Sequence, residues 1–214
     1  SAASDVYKRQ YLTYDVTEAV KEGKNAMGVI LGNGRYYAPR TKSPTNTLTY
    51  GYPKLMLNLR VEYADGTFAD IDSDEAWKLT TEGPIRANNE YDGEEYDARM
   101  ELTGWSMPGY DDSAWRAPEL VSGPEGVLSA QMTPPIRVIE TLKPRSVNEI
   151  EPGVFIYDMG QNMVGWCRLK VQGPKGTEVR LRHAETVKDD GTLYMANLRG
   201  AKCTDTYILK GEGM

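Results

Sequence analysis

The sequence predicts an all-β protein made of two consecutive β-sandwich domains. Strand-like runs recur at intervals of roughly eight to twelve residues with turn residues between them. No amphipathic stripe long enough for more than two helical turns interrupts them. Aromatic usage is lopsided, with 14 Tyr and 4 Trp against 2 Phe, and rings with a polar handle suit strand faces that are half wet.

Composition narrows the function before any motif is considered. At 214 residues the chain has room for one large domain or two small ones. The net charge is -6 and Lys and Arg are scattered, so no basic stripe with interleaved aromatics marks a nucleic-acid partner. No apolar run approaches the roughly 20 residues of a membrane-spanning helix, and no signal peptide is visible. A single histidine, His183, excludes any metal site built on two histidines. Cys167 and Cys203 lie far apart in strand-like runs, and with no metal-ligand spacing they read as buried, inert thiols rather than a bridge.

In chain order, residues 1–10 show neither hydrophobic period nor turn logic and read as a non-native or disordered tail. Residues 14–20 pass from a strand end into one helical turn, capped by Asp15 or Thr17 and stopped at Gly23. The apolar run 25–31 reads as a buried strand closed by the turn Gly32-Asn33-Gly34. A long loop spans 36–52. Residues 54–63 alternate, with Leu55, Leu57, Leu59 and Val61 on one face. Ala64-Asp65-Gly66 turns the chain and 67–71 return it, which predicts a β-hairpin. Short strands follow at 77–80 and 85–87.

Prolines and glycines between 119 and 134 mark a linker, so the domains are expected at 11–118 and 135–214. Further strands are expected at 136–142, 154–159, 164–171, 177–183 and 204–210. The sequence stops straight after a strand, whose edge a sandwich usually pairs, and it opens on a stretch without structure logic, so both domains are expected to be truncated.

The chemistry concentrates in residues 91–115. Tyr91-Asp92-Gly93-Glu94-Glu95-Tyr96-Asp97-Ala98-Arg99, then Trp105, then Asp111-Asp112-Ser113-Ala114-Trp115, alternate acids and rings with few aliphatic residues. Rings stack on the C–H face of a pyranose, and carboxylates and a guanidinium fork its vicinal hydroxyls. The competing reading is an exposed loop whose acids cap turns at Asp92-Gly93 and at Asp111 or Asp112.

Glycoside hydrolysis needs two carboxylates, one of them raised in pKa by an apolar pocket. Asp92 with Glu94, or Glu95 with Asp97, would share a strand face, but nothing in the sequence supplies that pocket. His183 reads as a structural histidine held by Glu185. The acidic turns at 72–75 and 189–190 offer oxygen ligands of the kind Ca²⁺ takes.

Several motifs together resemble one family, the bacterial α-L-rhamnosidases of the inverting type. They are YDVTEAVKEGKNAMGVILGNGRYY at 14–37, YDGEEYDARMELTGW at 91–105, GYDDSAW at 109–115, AQMTPPIRVIETL at 130–142, YDMGQNMVGWCRLKVQGPKGTEVRLRHAE at 157–185 and LYMANLRGAKCTDTYILKGEG at 193–213. The resemblance implies a jelly-roll (galactose-binding-like) domain followed by a second β-sandwich. Both would be accessory to a catalytic (α/α)₆ barrel of the same polypeptide, absent from these residues.

It implies carbohydrate recognition or scaffolding, rhamnose-containing glycosides as partners, and Ca²⁺ as a possible cofactor without matching ligands. The candidate contacts with sugar or barrel are Tyr91, Asp92, Glu94, Asp97, Arg99 and Trp105, with Asn33 of the GNG turn and Gln161 and Asn162 of the GQN turn. An autonomous lectin-like module and a purely structural brace are the alternatives.

Overall fold

A computed structural model describes residues 8–38 and 50–211 of the chain. The chain is all-β: ten strands, with only two single-turn 3-10 helices, at Ala98–Met100 and Ala196–Leu198, among the described residues. Two compact units divide it. The first takes residues up to 31, 54–82 and 102–135, and the second takes 32–53, 83–101 and 136 onward.

In the first unit, β1 (Lys8–Tyr11) and β6 (Val127–Ala130) pair in parallel. Strand β1 therefore begins inside the segment expected to be a tail, and β6 lies inside the expected linker. The hairpin forms as expected from β2 (Asn58–Glu62) and β3 (Phe68–Asp72), with Leu59 facing Ile71 and Val61 facing Ala69. Its turn is closed by Asp65, whose Oδ1 accepts from the Thr67 N–H at 2.9 Å. Leu59 and Val61 are the half-covered positions of β2, so the alternation in the sequence does sort its faces. Asp15 caps the turn at 16–20, accepting from the Thr17 N–H at 3.0 Å, and Val20 N–H returns to the Val16 carbonyl.

The second unit holds the four-stranded sheet that organises everything below, in the order β4 (Ile85–Asn89), β5 (Gly93–Asp97), β10 (Thr204–Ile208), β9 (Glu178–Arg182). The pairs β4–β5 and β10–β9 are antiparallel, while β5 and β10 run parallel, Thr206 opposite Glu95 and Ile208 opposite Asp97. A separate hairpin joins β7 (Ser146–Glu151) to β8 (Val154–Asp158). The small core lies where β5 enters its 3-10 turn: Ala98 and Leu209 are buried there, and Asp97 is the buried charged residue.

Three apolar runs expected as strands, 25–31, 136–142 and 164–171, carry no strand assignment. Ile139 is 98% exposed. Alternation prepares a face for burial, but a strand also needs a neighbour that takes its N–H and C=O groups; no backbone ladder reaches these runs among the described residues.

The acidic stretch as candidate site

Strand β5 is where the sequence placed its chemistry, and the sheet explains how each side chain is used. The strand starts at a glycine because nothing larger fits. Gly93 has φ +98, and a Cβ there would stand 2.3 Å from the Thr204 carbonyl oxygen and 2.7 Å from its carbon. That close approach lets β10 run beside β5, with Thr204 N–H donating to the Asp92 carbonyl at 3.0 Å and Cys203 N–H to the Tyr91 carbonyl at 3.1 Å.

Two-residue periodicity then separates the acids. Glu94 lies on one face, where it accepts from Asn88 Nδ2 at 2.9 Å, and its own N–H donates to Asp205 Oδ1 at 2.9 Å. Asp205 also meets His183 Nε2 at 3.0 Å. This corrects the expected partner of His183: the ring pairs with Asp205 across the β9–β10 edge, and Glu185 instead accepts from Asn197. Asp92 sits before the strand in an Asn89-capped turn, its Oδ1 accepting from the Lys202 N–H at 3.2 Å and its Oδ2 from Asn89 Nδ2 at 3.3 Å.

Glu95 and Asp97 face the other way, into a shallow cup of about 190 Å³ lined also by Arg86, Glu178, Arg180 and Thr206. Two of the acids in this cup, Asp97 and Glu178, already pair with arginines. Asp97 takes a bidentate fork from Arg99, 2.8 Å to Nε and 2.6 Å to Nη2, together with the Arg99 N–H at 3.0 Å. Glu178 pairs with Arg180, and Arg86 donates to the Gly83 carbonyl at 3.0 Å. The Arg99 guanidinium holds the Asp97 carboxyl below the usual carboxylate range.

At the strand's end, Tyr96 stacks on Tyr207 with ring centroids 5.2 Å apart and donates its hydroxyl to Glu101 at 3.1 Å. Lys210 Nζ completes the group, 2.7 Å from Glu101. Burial, reinforced by Glu101, pushes Tyr96 up to about 12, while the Lys210 bond draws Glu101 down.

The other candidates divide. Asn33 belongs to the same unit, in a turn whose Gly34 N–H donates to Asn88 Oδ1 at 3.3 Å and whose Gly34 carbonyl accepts from Glu90. Trp105 belongs to the first unit, stacked on Trp115 at 6.5 Å over Gly28, where a Cβ would stand 2.1 Å from its ring. Gln161 and Asn162 are exposed past the end of β8, outside the four-stranded sheet. At Asp111, Oδ1 accepts from the Ser113 N–H at 3.0 Å, so that acid does cap a turn.

Asp74 and Asp190 spend an oxygen on the N–H two residues ahead, and no group of three His, Cys, Asp or Glu side chains is placed to hold a metal among the described residues. Both thiols are unbridged, Cys167 exposed rather than buried and Cys203 half-buried. No helix of the described residues is long and apolar enough to cross a membrane.

Against known proteins, the family model for the α-L-rhamnosidase N-terminal domain matches residues 4–140, and that for the bacterial α-L-rhamnosidase concanavalin-like domain matches 148–214. The chain belongs to the α-L-rhamnosidase N-terminal domain family. An α-L-rhamnosidase of Streptomyces avermitilis is 48% identical over 98% of this chain, which spans 20% of that protein. A solved structure of α-L-rhamnosidase from Dictyoglumus thermophilum aligns over 97% of the chain and 23% of its own length, with 45% identity and a TM-score of 0.85. The S. avermitilis enzyme complexed with L-rhamnose aligns over 74% of the chain and 15% of its own, at 50% identity and a TM-score of 0.70. The chain thus spans about a fifth of the rhamnosidases it matches, and no helical barrel is found among the described residues.

Proposed function

We propose that this chain is the non-catalytic accessory region of an α-L-rhamnosidase that hydrolyses terminal α-L-rhamnosyl residues. In this reading an (α/α)₆ barrel outside these 214 residues supplies the proton donor and the base that inverts the anomeric centre. The acidic stretch acts as a scaffold that braces that barrel.

One observation supports this most strongly: three acids of the stretch that a sugar or a hydrolytic step would use are spent inside the sheet. Asp92, Glu94 and Asp97 bond to Lys202 N–H, Asn88 and Arg99. A general acid needs its carboxyl raised, whereas each carboxyl with a displaced ionisation, Asp97 and Glu101 in this region included, is displaced downward.

The test is a chimera in which this chain replaces the matching stretch of the S. avermitilis enzyme. Arg99→Ala in the chimera should lower the temperature at which activity is lost and leave KM for an aryl α-L-rhamnoside unchanged. A raised KM with heat stability intact would instead assign Arg99 to substrate binding.

A further inference from the structure

The turn Gly32-Asn33-Gly34 carries a chemistry that the proposed function does not use. Asn33 is the chain's only asparagine followed by glycine. In such a pair the backbone nitrogen of the second residue attacks the side-chain carbonyl carbon of the first, and glycine crowds that approach least because it has no side chain. Gly34 has φ +50, and a Cβ built on it would meet nothing within 4 Å. In the attack the Gly34 nitrogen loses its proton and bonds to Asn33 Cγ, closing a cyclic imide, and the side-chain amide leaves as ammonia. Solvent water then opens the imide at either carbonyl, giving aspartate or isoaspartate.

The fold holds this reaction back at its first step. Attack requires the peptide group between Asn33 and Gly34 to turn toward the Asn33 side chain, and both ends of that group are bonded. Its carbonyl accepts from the Tyr37 N–H at 3.1 Å, and its N–H donates to Asn88 Oδ1 at 3.3 Å. The next peptide is held too, since the Gly34 carbonyl accepts from the Glu90 N–H at 3.3 Å. Glu94 orients Asn88 in turn, accepting from its Nδ2 at 2.9 Å. An ionised carboxylate only accepts, so the Asn88 nitrogen faces Glu94 and its oxygen is left to face Gly34. A carboxamide oxygen is too weak a base to take the Gly34 proton, so the bond restrains the nitrogen without activating it.

We propose that Asn33 is a site of spontaneous deamidation that the pair Glu94 and Asn88 keeps closed. Conversion waits for the turn to open from β4, and its rate in the folded chain follows how often that opening occurs. The product carries a new carboxylate. In the isoaspartyl form the main chain also gains a methylene, which moves Gly34 out of register with Asn88 and Glu90. The modification therefore marks chains in which the turn has opened.

Peptide mapping by mass spectrometry, on the 214-residue chain held at mildly alkaline pH, tests this, with near-ultraviolet circular dichroism confirming which proteins are folded. The chain unfolded in guanidinium chloride should convert Asn33 fastest, and the folded chain far more slowly. Asn88→Ala should speed conversion in the folded chain about three- to tenfold, the change in opening that one net hydrogen bond makes. Glu94→Ala, which frees the Asn88 amide to turn, carries the same test if Asn88→Ala does not fold. Equal rates in the folded wild type and the folded variant, or a slower rate in the variant, would overturn the closure. An Asn33 that stays intact in the unfolded chain would overturn the site itself.

Discussion

Replacing Gly93 with alanine probes the junction on which the four-stranded sheet depends. Two costs add at this position. An L side chain at φ +98 carries left-handed strain of roughly 1–2 kcal/mol. The new Cβ would also meet the Thr204 carbonyl oxygen at 2.3 Å, so β10 must draw back from β5. That displacement lengthens two bonds that cross the junction, Thr204 N–H to the Asp92 carbonyl and Glu94 N–H to Asp205 Oδ1, each contributing about 0.5–1.5 kcal/mol. The sum is roughly 2–5 kcal/mol, a large share of the 5–15 kcal/mol typical of a folded domain.

Gly153 supplies the control, with φ +80 and nothing within 4 Å of its Cβ position. Urea unfolding of Gly93→Ala and Gly153→Ala, followed by circular dichroism, separates the two costs, because Gly153→Ala should lose only the strain. Equal midpoints for the two variants would refute the close approach as the reason for a glycine in this strand.

Three further outcomes follow from the same geometry. Arg99 lowers the Asp97 pKa, so the pair's stabilisation is present above the unfolded carboxylate value of about 3.9 and is lost as pH falls through the depressed folded value; Asp97→Asn should flatten that part of the acid limb in pH-dependent thermal unfolding. Tyr96 is raised to about 12, so its contribution is complete below the unfolded tyrosine value of about 10 and disappears as pH rises through the folded one. Ultraviolet titration of the phenols should therefore lose its latest step in Tyr96→Phe. With Cys167 exposed and Cys203 half-buried, a thiol reagent should react in a fast and a slow phase, and Cys167→Ser should remove the fast one.

The sequence made the local features legible and concealed the distant ones. The β2–β3 hairpin follows from alternating Leu59 and Val61 and a turn closed by Asp65, all within a short span. Asp111 and Asp15 cap turns by bonding the N–H two residues ahead, a contact that composition and spacing encode directly.

The parallel pairing of β5 with β10 is different. Glu94 and Asp205 are 111 residues apart, and no periodicity connects them. For that reason Asp92, Glu94 and Asp97 read in sequence as available to a sugar, whereas the Lys202 N–H, Asn88 and Arg99 take them up. For His183 the sequence offers Glu185, two residues on, whereas the cross-strand partner is Asp205. At Gly93 the sequence offers only a turn, Asp92-Gly93; the close approach to the Thr204 carbonyl exists only once β10 lies beside β5. The pairing of Tyr36 with Tyr50 and of Tyr37 with Tyr52 is equally invisible in a stretch whose sequence predicts only a long loop.

Incubating the purified, folded chain with an aryl α-L-rhamnoside tests the central claim most directly. An accessory region that leaves the proton donor and the base to a barrel outside these residues should release no aglycone above the blank. Release by the chain itself, abolished in Glu95→Gln or Asp97→Asn, would place catalytic carboxylates in the cup on β5 and contradict the account.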